Sequence, residues 1–359
     1  MEFNAQESEP SSRSHSSSTG WEPAPDRQRT AGEFIHEGII LSNGERWRQV
    51  RNFTLRNLRE LGFGKKSFEE KIQEEVKNVV EELKKLKGKP LDVTELFMNA
   101  ISNILFSMFG NRYEYNDETF MKVLAIMEQT FYLISCSWGQ EKDNPSSEFN
   151  EWNLVAIIHN FFMAGTEAVS SMLRNALLIN LYHPEVQEKL HSEVDGVIGR
   201  DRIPNIKDRP NMPYTEAVMH EVLRFGDLAP FSVPHMVTKD VEFKGYFLPK
   251  GTEVYPLLCT VHRDPTKFET PNKFNPNHFL DENGKFMKND AMMAFSAGKR
   301  ICPREQLAWM EAFLFLTMIL QNFNLTSQTR LTEADITPKL AGFQNFPIHY
   351  ELSFIPRYL

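Results

Sequence analysis

The chain has 359 residues, 41% of them hydrophobic and 25% charged, which is the profile of a globular protein and not of a disordered or fibrous one. The 48 acidic and 40 basic residues leave a net charge of -8, so nucleic acid is not an expected partner. Cys136, Cys259 and Cys302 stand too far apart for a disulfide framework or a zinc site, and 28 Phe with 15 Met describe a large, soft apolar interior.

Residues 1–32 are rich in Ser, Pro and charge and read as a disordered tail ahead of one domain over 33–359. No stretch combines bilayer length with absence of charge, which leaves at most a peripheral membrane contact. From Ser67, Phe68, Ile72, Val76, Val79, Val80, Leu83 and Leu86 recur at helical spacing, and Gly88 and Pro90 stop the helix. Asp92, with Glu95 three residues on, resembles a capping box that opens a second helix through Met98, Ile101, Leu105 and Met108. A third is predicted over about 117–134, then a linker over 139–147. A long apolar helix follows over 150–181, interrupted at Ala164 and Gly165, and further helices cover 184–198 and 213–225. Past Pro230, Val241, Phe243, Tyr246, Phe247, Val254 and Tyr255 are strand-like, with a turn at Pro249 and Gly251. One more helix runs from Cys302 to about Leu320, and Ile348, Tyr350, Leu352 and Phe354 alternate as a closing strand. The chain is mainly α with small β-sheets.

The strongest chemical signal is Phe295-Ser-Ala-Gly298-Lys-Arg300-Ile-Cys302, followed directly by an amphipathic helix. A thiol at a helix N-terminus is biased toward thiolate, because unpaired amides and the helix dipole favour negative charge there. Such a thiolate can ligate haem iron and push electron density onto it, which favours cleavage of the O–O bond. Gly298 lets the loop approach a flat macrocycle, and Arg300 can neutralise a propionate. A lone cysteine is more commonly a packing residue; here the surrounding pattern decides.

That pattern, F-x-x-G-x-R-x-C before a helix, resembles the haem-binding loop of the cytochrome P-450 superfamily. Glu221-Val-Leu-Arg224 resembles its E-x-x-R helix, and Phe274-Asn-Pro276-Asn-His278-Phe279 the meander segment which that pair braces. Trp47-Arg-Gln-Val-Arg51 is similar to the W-x-x-x-R helix whose Trp and Arg reach a propionate, and His235 stands where microsomal members place a further propionate contact. Ala164-Gly165-Thr166-Glu167 is similar to the oxygen-binding helix, in which the small pair leaves room beside the iron and the acid relays protons. Each string alone has a plainer reading: a solvated ion pair, a surface arginine, a structural histidine, a glycine kink. Their common order and spacing favour the family.

The resemblance runs from about Gly38 to the C-terminus and looks closest to the microsomal branch that metabolises xenobiotics and fatty acids. It implies haem b (iron protoporphyrin IX), with Cys302 as axial ligand. It also implies electrons from NADPH through a flavoprotein reductase, a lipophilic substrate (xenobiotic, fatty acid or steroid), and a place on the cytosolic face of the endoplasmic reticulum membrane. The basic run Arg46, Arg48, Arg51, Arg56, Arg59, Lys65 and Lys66 would then steer the reductase, although such a run is more commonly just solvated.

Four departures stand against the family pattern. The tail occupies the place of the anchor, first helix and first sheet, and the helices that roof the substrate pocket are expected to be missing between Cys136 and Asn150. Ala168 replaces the Thr that follows the acid, which predicts leakage of reduced oxygen to peroxide. Arg304 replaces a Gly two residues past the cysteine, where a bulky cation is expected to crowd the haem and oppose the helix dipole. These losses define an alternative: an impaired, truncated relative that binds haem or the reductase without productive turnover.

Overall fold

Apolar residues at 3.6-residue spacing become helices where they have a partner to bury against. The computed structural model describes residues 3–4, 38–40, 42–60, 62–63, 65–107, 113, 151–341 and 344–358. Its larger helices are α1 (Gly44–Glu60), α2 (Lys66–Lys85), α3 (Thr94–Ser107), α4 (Glu151–Tyr182), α5 (Pro184–Val197), α6 (Pro213–Gly226) and α8 (Glu305–Asn322), with the short α7 (Leu258–His262) between the last two. The predicted helix over 117–134, the linker over 139–147 and the expected gap before Asn150 lie outside the described residues. No helix among the described residues is long and apolar enough to cross a membrane.

Two compact units make up the described residues: one within 1–54, 128–161 and 233–256, the other within 55–127, 162–232 and 257–359. In the larger unit α8 packs against α2 and α5, α2 against α3, and α5 against α6. Val76, Val79 and Leu83 of α2, Phe97 and Ile101 of α3 and Phe313, Leu314 and Phe315 of α8 are fully buried, and the Phe97 and Phe315 rings meet edge to face. The Glu193 carboxylate on α5 accepts the amides of Tyr214 and Thr215, at 2.9 and 2.7 Å, and so caps the α6 N-terminus. The antiparallel pairs β6 (Phe323–Thr326) with β9 (Ser353–Pro356), and β7 (Lys339–Ala341) with β8 (Gln344–Phe346), complete this unit together with the short α9 (Glu333–Ile336).

The smaller unit holds a three-stranded sheet of order β1 (Phe3–Asn4), β2 (His235–Val237), β5 (Glu253–Val254), and a hairpin of β3 (Val241–Phe243) and β4 (Tyr246–Leu248). Phe3–Asn4, within the stretch whose composition reads as a disordered tail, pairs antiparallel with β2. Asn153 and Asn160, two turns apart on α4, accept the amides of Gly38, Ile39 and Ile40 at 2.9–3.2 Å.

Three local outcomes differ from the sequence expectations. α4 runs unbroken through Ala164 and Gly165, since a buried helix absorbs the roughly 1 kcal/mol that glycine costs. The second helix starts at Thr94, where Asp92 accepts the Thr94 amide at 2.9 Å as a local Asx turn. The closing strand is shorter, Ser353–Pro356, because Leu352 makes only an isolated bridge to Leu91.

Candidate active site

Glu221 and Arg224 lie three apart on one face of α6, both fully buried. The Arg224 Nε and Nη2 donate to the two Glu221 oxygens at 2.7 Å, Nη1 to the carbonyls of His262 and Pro271 at 2.7 Å, and Nη2 to that of Lys273 at 2.9 Å. All five N–H groups therefore have acceptors. Glu221 also accepts the Asn275 amide at 2.7 Å and faces His278 Nδ1 at 3.2 Å, while His278 Nε2 accepts the Thr270 amide. An ion pair on one helix thus fixes the backbone of residues 262–278.

His262 extends this frame toward the cysteine loop. Its Nδ1 donates to Asp227 at 2.8 Å and its Nε2 accepts the Met293 amide at 3.2 Å, which fixes the neutral tautomer. From Met293 the chain closes into a loop in which the Cys302 amide donates to the Phe295 carbonyl at 2.9 Å. Ser296 and Gly298 both have positive φ, and a Cβ on Gly298 would face open space, so backbone conformation and not crowding requires this glycine. Ala297, Gly298 and Lys299 are exposed, whereas Arg300 and Cys302 are half-buried. The Phe295 ring packs on Trp309, which stacks on His220 at 4.3 Å. Burial among these rings lowers the His220 pKa. Cys302 stands three residues ahead of the first residue of α8.

Residues 164–167 sit mid-way along α4. Met163 and Ala164 are exposed, Phe161 and Phe162 before them are half-buried, and Gly165 and Thr166 after them are buried. The Thr166 hydroxyl lies 3.1 Å from that of Ser102, and the Ser171 hydroxyl donates to Glu167 Oε1 at 3.2 Å. The sequence had not marked Ser102 or Ser171; Ser171, one turn past Glu167, was open to i,i+4 reasoning.

Arg304 joins this segment to the start of α8. Its Nη1 donates to the Gly165 carbonyl and its Nη2 to Glu311 at 2.8 and 3.1 Å; Arg304 is nearly buried and Glu311 fully so. A Cβ at Gly165 would stand 2.8 Å from the guanidinium carbon, so the close approach depends on glycine. The expected clash with the helix dipole does not stand alone, because the Glu311 carboxylate two turns on offsets the cation. Burial pushes the Glu311 carboxyl up to about 7, with Arg304 pulling the other way. A lone acid in the apolar run of α8 was the sequence signal for this pair.

In the other unit, Arg51 sits one turn past Trp47 on α1, its guanidinium 5.5 Å from the ring centroid. His235 lies half-buried in β2 opposite Val254. Of the basic run, Arg48 pairs with Glu45, and Lys66 with Glu70 at 3.6 Å.

The family model described as "Cytochrome P450" matches residues 18–140 and 129–354. The chain belongs to the cytochrome P-450 family. It is 42% identical over 384 residues to "Cytochrome P450 2G1" of Rattus norvegicus and to "Cytochrome P450 2B4" of Oryctolagus cuniculus, covering 90% of this chain and 78% of each relative. It is 41% identical over 379 residues to "Cytochrome P450 2C8" of Homo sapiens, covering 89% and 77%. The cytochrome P-450 fold, mainly helical with small antiparallel sheets, is the one described above.

Cytochrome P-450 proteins are haem-thiolate monooxygenases that use haem b and draw electrons from NADPH through a reductase. The residues around Cys302 fit that group: a half-buried thiol at a helix start, a loop with exposed small residues, and an exposed Ala164 beside a buried glycine in α4. The atoms nearest to a Cβ placed on Gly165 all belong to the Arg304 guanidinium.

Proposed function

We propose that Cys302 would hold the haem iron in a monooxygenase acting on a lipophilic xenobiotic, fatty acid or steroid at the cytosolic face of the endoplasmic reticulum, with peripheral membrane contact. The observation that supports this most is the loop itself, with the Cys302 amide tied to Phe295 and the thiol just ahead of the 18-residue helix α8. When bound, haem b supplies activation of O2: one oxygen atom enters the substrate and the other leaves as water, using two electrons from NADPH and two protons.

The protein's own part is to hold groups and move protons. The amides at the α8 N-terminus favour the thiolate of Cys302. Phe295, Gly298 and Arg300 would shape the loop that holds the macrocycle, and Arg300 would pair with a propionate. The propionate roles of Trp47, Arg51 and His235 rest on the motif match alone. Glu167, steadied by Ser171, would hold and pass protons beside the small residues Ala164 and Gly165, while Thr166 is turned toward Ser102. Glu221, Arg224 and His278 act at a distance by bracing the loop.

Ala168 favours a second reading, a relative that consumes NADPH without forming product. Purified chain, haem, reductase and NADPH with a lipophilic probe separate the two. The monooxygenase reading expects hydroxylated product, roughly 100-fold less in Glu167→Gln, and a larger share of electrons reaching product in Ala168→Thr. Peroxide with no product from the parent or from Ala168→Thr would favour the impaired relative.

A further inference from the structure

We propose that Arg304 is a latch on the haem site: its guanidinium ties the start of α8 to the Gly165 carbonyl of α4, and that tie must be released for the macrocycle to seat at Cys302. The inference rests on the assignment of Cys302 as ligand. Arg304 is two residues from Cys302, and Gly165 belongs to the segment assigned to the oxygen side. A planar group held at 302 and lying against 164–167 would compete with the contact between Arg304 and Gly165.

The geometry describes a catch and not a permanent brace. Nη1 has the Gly165 carbonyl and Nη2 has Glu311, yet the buried Nε has no acceptor among the described residues. A buried cation with an orphaned donor is held less firmly than one whose donors are all met. The guanidinium ends a flexible stem, so rotation of the side chain can break the contact with Gly165. Glu311 supplies the anchor on the α8 side: fully buried, it holds Nη2 while Nη1 spans to Gly165. The absence of a Cβ at Gly165 is what lets the catch close, since an alanine there would meet the guanidinium head-on.

Opposite responses in two measurements distinguish a latch from a structural pair. Removing a structural pair weakens the unloaded fold and haem binding together; removing a latch weakens the first and strengthens the second. The test is a hemin titration of haem-free parent, Arg304→Gly and Arg304→Lys, followed by Soret absorbance and association rate, beside thermal melting of each haem-free protein. The expected result is hemin binding about tenfold tighter or faster in Arg304→Gly than in the parent, with a lower melting temperature for the haem-free form. Arg304→Lys keeps the charge and stem but lacks the fork that reaches two acceptors at once, so it shifts the same way by less; it serves alone if the glycine variant does not fold. Equal or weaker hemin binding by the folded variants would overturn the latch and leave the assignment of Cys302 intact. If no protein of the series binds hemin, or if Cys302→Ser gives the same Soret spectrum as the parent, the assignment falls and the latch falls with it.

Discussion

Two buried arginines of the larger unit meet opposite fates. Arg224 has an acceptor for every N–H, supplied by Glu221 and three carbonyls from residues 262–273. Arg304 has Glu311, the Gly165 carbonyl and an Nε with no acceptor among the described residues. Both are charge pairs out of water, and the difference lies in how completely each is paired. A fully met guanidinium becomes a fixed point on which a long loop is hung, whereas a partly met one is a contact that can be exchanged.

The comparison is broken most directly by removing each arginine. Arg224→Met should cost about 3–5 kcal/mol, because it leaves Glu221 charged and buried and unties three carbonyls. Urea unfolding of the haem-free chain checks this, and a loss below about 1 kcal/mol would show that the loop does not hang on this pair. Arg304→Gly should cost less, about 1–3 kcal/mol by the same measurement, since the Glu311 carboxyl, already pushed up to about 7, can take a proton near neutrality. A larger loss than at Arg224 would reverse the ranking.

Two pH slopes of opposite sign sharpen the picture. The folded Glu311 binds its proton more tightly than the unfolded one. Its contribution to stability is complete below the ordinary value of 4.5 and is lost as pH rises to about 7. Glu311→Gln should flatten that slope in unfolding measured from pH 4.5 to 7.5. His220 behaves the other way: buried among Trp309, Phe279 and Phe286, it binds a proton less readily in the fold. Its contribution is present above the ordinary 6.5 and lost as pH falls. His220→Gln should remove that acid-side loss, and an unchanged profile would mean the ring is not the titrating group. The smallest effect is expected at Lys84, whose pair with Glu81 is exposed on α2. Lys84→Ala should change stability by no more than about 0.5 kcal/mol.

The contrast between the arginines also shows what could be read beforehand. The spacing of Phe68, Ile72, Val76, Val79 and Leu83 announced α2, and the runs at 184–198 and 213–225 announced α5 and α6 to within a residue or two. Their periodicity is a local property. The β6–β9 pairing joins segments some 30 residues apart, and no local pattern reports a partner at that distance. The β3–β4 hairpin turns on Lys244 and Gly245, both with positive φ, and lysine is a poor signal for such a turn. At the site, Glu221 and Arg224 were legible as a pair three apart. Their role as a hub was not, because the carbonyls they hold lie 38–49 residues further along. Arg304 was legible as an oddity beside Cys302. Its reach to Gly165, 139 residues away, needed the fold.

The proposed function stands or falls with the Cys302 sulfur as the ligand to iron. Absorption of the reduced carbon monoxide complex, compared between the haem-loaded parent and Cys302→Ser, tests it most directly. A red-shifted, thiolate-type Soret band is expected in the parent and not in the variant. The same band in both proteins, or an imidazole-type band in the folded parent, would contradict it.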